Sequence, residues 1–142
     1  MAKSDQQGAR SRARELIVQS LYQMQITGHD EAELKAQFHE RPDYNRVDKK
    51  YYDELLSDIL SNQSDLEKAI DELADRPVEN LDPIEKSILL LGFHELKAVL
   101  EVPYKVVINE SVNLAKRFGA VDGHKYINAL LDRAVEKLRP AS

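Results

Sequence analysis

Pro103 to Asp132, PYKVVINESVNLAKRFGAVDGHKYINALLD, is the stretch on which the reading of this chain turns. Ile108, Val112, Ala115 and Phe118 recur at three- and four-residue intervals with Ser111 on the same face, and Gly119 interrupts them. Beyond a polar turn, Ile127, Leu130, Leu131, Ala134, Val135 and Leu138 repeat the pattern. The spacing predicts one helix opened by Pro103 and closed by Gly119, and another from about Asp122 to Leu138, with Pro140 beyond its end. Lys116, Arg117, Lys125 and Tyr126 gather around the turn. Cations beside an aromatic ring suit a flexible nucleic acid: the charges meet phosphates, and the ring stacks an unpaired base at roughly 1–3 kcal/mol.

Helical spacing extends outward over nearly the whole chain, with no alternating strand pattern and no internal repeat. Leu81-Asp82-Pro83-Ile84-Glu85 is a clear helix start, with Asp82 as N-cap, Pro83 at the first helical position and Glu85 at the capping-box position. Ile84, Ile88, Leu89, Leu91, Phe93, Leu96 and Leu100 cover more than one face of that helix, which predicts a central element. Gly92 in its interior implies close approach of a neighbour. A first helix is expected from about residues 7–10 to 27–28, a short one from Asp30 to about Glu40, and a loop at Arg41–Arg46. Residues 48–75 form one long helix, or two broken near Ser61–Ser64, where Ser64 and Glu67 make a capping box. The Arg76-Pro77 break then divides an all-α chain into two packed helical halves, about 1–76 and 81–142, of a single 1–142 domain.

A net charge of −5 argues against nucleic acid only if it is uniform. Residues 1–14 carry Lys3, Arg10, Arg12 and Arg14 against Asp5, a net +3, and residues 116–139 are also +3, so the remainder holds −11. Two basic ends flank an acidic middle, and convergence of those ends is expected to make one basic patch. Placed near a helix N-terminus, the three arginines oppose the macrodipole by roughly 0.3–1 kcal/mol each, which a polyanion would offset.

Catalysis finds no support in the spacing. His29, His39, His94 and His124 lack metal-ligand intervals, and the five isolated glycines form no phosphate-cradling loop. Carboxylates three or four apart, such as Asp71 and Asp75, read as solvated helix faces. The expectation is a non-enzyme without cofactor or metal. No cysteine is present, no run nears the roughly 20 apolar residues that span a bilayer, and the start MAKSDQQGARSRAR has no apolar signal core. A cytoplasmic protein is expected.

Three segments carry a resemblance: RARELIVQSLYQMQ near the start, LDPIEKSILLLGFHEL in the middle, and VPYKVVINESVNLAKRFGAVDGHKYINALLD near the end. In order and spacing they resemble the NusB family of bacterial transcription antitermination factors over nearly the whole chain. The resemblance implies a NusB-like fold of two perpendicular three-helix subdomains. It implies binding to the boxA element of nascent ribosomal RNA transcripts, pairing with the ribosomal protein NusE, and work with RNA polymerase and other Nus factors. The RNA-contacting positions it implies are Lys3, Arg10, Arg12, Arg14, Asp122, Lys125 and Tyr126, and the NusE-facing ones are Tyr22 and Glu85. Many relatives have phenylalanine at Tyr126, glycine at Ala129 and arginine at Leu90. The rival expectation is a protein-binding helical scaffold that never touches RNA. A third, the NusB-like module fused to ribosomal RNA cytosine methyltransferases, has no catalytic domain to match in a chain ending at Ser142.

Overall fold

The computed structural model describes residues 3–140, with side chains from residue 6 onward. Among the described residues there are seven α-helices, two short 3-10 turns and no strand, as the periodicity predicts. The chain divides into two compact units, residues 1–61 and 62–142.

The first unit holds α1 (Lys3–Thr27), α2 (Glu31–His39) and α3 (Lys49–Ser61), with a 3-10 turn at Pro42–Arg46 where a loop was expected. Gly28 ends α1 at φ 77°, a left-handed position that costs a side chain strain. Asp30 and Glu33 form a reciprocal capping box on α2. Leu16, Ile17 and Leu21 of α1 are buried with Leu34 of α2 and Tyr52, Leu56 and Ile59 of α3. Tyr52 shares a 2.7 Å hydrogen bond with Ser20, so its buried hydroxyl is satisfied. The Tyr44 hydroxyl donates to Asp53 at 3.0 Å, and burial, reinforced by that carboxylate, pushes its pKa up to about 12.

The second unit holds α4 (Gln63–Leu73), α5 (Pro83–Ala98), α6 (Tyr104–Phe118) and α7 (Gly123–Leu138), with a 3-10 turn at Val78–Asn80. Residues 48–75 are thus two helices parted at Asn62, and Ser64 lies inside α4 rather than capping it; Gln63 bonds Glu67 at 2.8 Å instead. The second unit begins at this break, and within it α4 packs on α5 and α7. The first unit thus holds three α-helices and the second four.

The helix α5 is central to its unit: Ser87 through Leu96 are all buried, and α4, α6 and α7 pack around it. Asp82 caps it, accepting from the Ile84 and Glu85 amides at 2.8 and 3.3 Å. A methyl group on Gly92 would sit 3.1 Å from a Leu131 methyl and 3.2 Å from the Ser111 hydroxyl, which is the close approach its position implies. At the far end of α5, the buried Arg139 donates to the carbonyls of Leu96, Val102, Glu95 and Val99 at 2.7–3.0 Å. One guanidinium thereby closes the helix C-terminus and the turn that follows it.

Candidate nucleic-acid interface

In the first unit the site is built on α1 and the start of α3. Because α1 begins at Lys3, the arginines lie two or more turns into the helix, beyond the reach of its terminal dipole. The expected dipole penalty is therefore absent, and neighbouring groups account for their placement. Arg10 and Arg14, one turn apart, bracket Tyr51: their guanidinium carbons lie 4.4 and 5.3 Å from the ring centroid. Arg10 also lies 3.6 Å from Asp48, whose other oxygen accepts the Tyr51 amide at 3.0 Å. Arg14 is only 3% exposed, with Nη2 3.4 Å from the Tyr51 hydroxyl. A phosphate cannot reach that guanidinium where it stands, so Arg14 positions Tyr51 rather than presenting charge. Arg12 is half-buried and donates from Nε to the Arg46 carbonyl at 2.7 Å. That link joins Arg12 to the backbone of Arg46, which with Lys49 and Lys50 makes three exposed cations missing from the expected set. Their signal is the run RVDKK at 46–50, which the surrounding acidic residues mask in a net-charge sum. The side chain of Lys3 lies outside the described residues.

In the second unit the site is built on the turn between α6 and α7. Gly119 is extended there, and Asp122 takes a left-handed φ of 70°, the conformation that swings α7 into its start. Lys125 reaches back to Asp122 at 3.3 Å, with side chains 72% and 69% exposed. Such a pair is screened by water and leaves Lys125 available to a competing anion. Lys116 and Arg117 are exposed on the last turn of α6, and Val121 stands at the tip.

Tyr126 packs into the second unit beside that turn. Its ring is half-buried and its hydroxyl, instead of reaching solvent, is buried without a hydrogen-bond partner. The guanidinium of Arg76 lies 4.7 Å from the ring centroid and covers one face. The same guanidinium is 3.7 Å from Glu85, whose side chain is 14% exposed. Burial raises the Glu85 carboxyl above the usual carboxylate range; the Asp82 charge adds to this, while Arg76 and the Asp82 amide oppose it. Sequence spacing did not mark Arg76, because contact across 50 residues leaves no local pattern.

The C-terminal positive charge is smaller at the surface than in the sequence. Arg139 is consumed by backbone carbonyls, Arg133 donates to the Leu73 carbonyl at 3.1 Å, and Lys137 pairs with Glu72. Tyr22, the other expected partner position, is 39% exposed on α1. Among the described residues no group of histidines and carboxylates could hold a metal ion, and no helix is long and apolar enough to cross a membrane.

The sequence profile of the NusB family matches residues 11–136. The transcription antitermination protein NusB of Cupriavidus pinatubonensis is 40% identical over 140 residues, spanning 99% of this chain and 84% of that protein. The NusB of Nitrosospira multiformis is 44% identical over 128 residues, 90% of this chain and 81% of its own. Among solved structures, T. maritima NusB superposes with a TM-score of 0.78 at 26% identity, covering 90% of this chain and 91% of that one. A structure of antitermination factors NusB and NusE in complex with dsRNA matches in fold, with a TM-score of 0.73 at 18% identity, covering 96% of this chain and 99% of that one. An all-helical chain so closely related to these proteins along nearly its full length belongs to the NusB family, a family of transcription antitermination factors and not of enzymes.

Proposed function

We propose that this protein is a cytoplasmic RNA-binding antitermination factor that pairs with NusE on the boxA element of nascent ribosomal RNA transcripts, within the RNA polymerase complex that includes other Nus factors. The observation that carries this reading is the α6–α7 turn, where the exposed Lys125 stands next to the half-buried ring of Tyr126 and pairs with an exposed Asp122. Weakly held cations beside an aromatic ring suit a flexible strand, in which phosphates and unpaired bases are both presented. Arg10 and Arg12 supply further phosphate contacts from the first unit, joined by Arg46, Lys49 and Lys50. Asp122 restrains Lys125 and repels phosphate, so Asp122→Asn tightens RNA binding. Tyr22 and Glu85 serve the protein partner.

Salt-dependent binding of a boxA-bearing single strand, a scrambled strand and a duplex, each with and without NusE, tests this reading. Neutralising Arg10 and Arg12 reduces the salt slope by up to about 0.7 per lost phosphate contact, and adding Arg14→Gln reduces it no further. Absence of RNA binding both with and without NusE, together with intact NusE binding, would leave the protein-scaffold reading in its place.

A further inference from the structure

Arg76 stands between two surfaces that the proposed function uses for different partners. Its guanidinium lies 4.7 Å from the ring centroid of Tyr126, the base-stacking candidate, and 3.7 Å from Glu85, the protein-facing candidate. Its side chain is 50% exposed, whereas that of Glu85 is only 14% exposed. One Glu85 oxygen pairs with Arg76; the other lies where a methyl group on Gly123 would come within 3.2 Å of it, against the first residue of α7. The carboxylate therefore sits directly beneath the turn that carries Asp122, Lys125 and Tyr126.

At 3.7 Å the Arg76–Glu85 pair is longer than a charge-assisted hydrogen bond of about 2.7–2.9 Å, so the guanidinium is attracted without being locked. Two anions can compete for it, the carboxylate it now faces and a phosphate arriving at the α6–α7 turn. A cation from a protein partner that takes Glu85 removes the first competitor. Arg76, still resting on the Tyr126 ring, is then available to the second.

We infer that Arg76 is the residue that couples protein-partner binding at Glu85 to RNA binding at Tyr126, by exchanging a carboxylate for a phosphate. This rests on the RNA-binding reading given above. Binding of either partner then strengthens binding of the other by the same factor, since a coupling free energy is reciprocal.

The test is a mutant cycle read as affinity for a boxA-bearing single-stranded RNA, with and without saturating NusE. In the wild-type protein NusE is expected to tighten RNA binding by about 5-fold or more, within the usual range of such coupling. In Arg76→Gln that factor falls to near 1, and Arg76→Lys, with its charge but no planar fork, gives an intermediate value. Glu85→Gln mimics a neutralised carboxylate, so it tightens RNA binding of the isolated protein several-fold. In the Arg76→Gln background the same change has no effect. This second arm keeps the wild-type arginine and guards against misfolding of the Arg76 variants. RNA binding with an unchanged NusE factor in Arg76→Gln, or additive effects of the two substitutions, overturns the coupling alone. Failure of the wild-type protein to bind RNA overturns the functional reading, and the coupling with it.

Discussion

The arginines at the start of the chain lean on an aromatic ring, whereas the arginine at its end is bound to backbone. Arg10 and Arg14 flank Tyr51 at 4.4 and 5.3 Å, a contact that engages the guanidinium face. Arg139 instead directs its N–H groups at four carbonyls around the end of α5. Both segments contribute +3 in sequence, yet they differ in how much of that charge an outside anion can reach. Available charge depends on unspent donors and exposure, which a residue count does not measure. By that measure Lys125 outranks Arg139 and Arg14, although all three count equally toward the basic ends of the sequence.

The largest test of this contrast removes the end arginine. Arg139→Ala strands several carbonyls that are buried with it, at a cost of roughly 1–3 kcal/mol for each acceptor left dry. Allowing for water entering the space, the expected loss is about 3 kcal/mol or more, measured as a shift in the urea midpoint at constant m-value. Arg139→Lys recovers part of this, because an ammonium cannot span four acceptors in a plane. Arg12→Ala, which loses one bond at a half-buried site, costs under about 1.5 kcal/mol but lowers the salt slope of RNA binding. Equal stability losses in the two variants would break the contrast.

The sequence announced local features of the fold and missed long-range ones. Asp82-Pro83 capping, Gly28 termination and the burial of α5 were legible because each depends on residues within a few positions. The extent of α1 was not, since its first turn, from Lys3, carries no apolar periodicity to mark it. The assignment of α4 to the second unit was also hidden: Leu66 and Ile70 announce an amphipathic helix, but not which partner covers it. In the candidate site, Lys125 and Tyr126 were legible from the turn that holds them. Arg76 over Tyr126, the burial of Arg14, and Arg139 as a cap were not, because side chains reaching across 37 or more residues obey geometry rather than spacing.

A second comparison sets the crowded interior of the four-helix unit against its looser turn. Gly92 lies where an added methyl would meet Leu131 at 3.1 Å and Ser111 at 3.2 Å. Overpacking of that kind costs about 1–3 kcal/mol, while replacing a helical glycine by alanine returns about 1 kcal/mol of propensity. Gly92→Ala is therefore expected to destabilise by roughly 1 kcal/mol in urea. At the turn the sign reverses. The Tyr126 hydroxyl is buried without a partner, so Tyr126→Phe removes a desolvated polar atom and keeps the ring. Stability is expected to be unchanged or to rise by up to about 1 kcal/mol, with RNA affinity retained. A clear loss of stability in Tyr126→Phe would mean that the hydroxyl is bonded in solution.

The finest contrast lies in two carboxylates, one in each unit, with opposite responses to acid. Glu31 accepts from the Ser57 hydroxyl at 2.6 Å and from Lys35 at 2.9 Å, and these bonds hold its pKa below the usual value. Folded protein then binds fewer protons at Glu31 than the unfolded chain does. Its contribution to stability is present above the unfolded pKa of about 4.3 and is lost as pH falls through the folded value. Glu85 is raised by burial, so the folded state binds more protons there, and its ionisation costs stability as pH rises through that window. Carboxyl NMR titration should place Glu31 below Glu85. At neutral pH Glu31→Gln should lower the urea midpoint slightly and Glu85→Gln raise it, with both differences shrinking below pH 4. Because the Glu31 side chain is 41% exposed, solvent screening keeps its effect the smaller of the two. Midpoints that moved in the same direction for both variants would show that burial at Glu85 is fully repaid by Arg76, leaving that guanidinium far less free than its 3.7 Å separation implies.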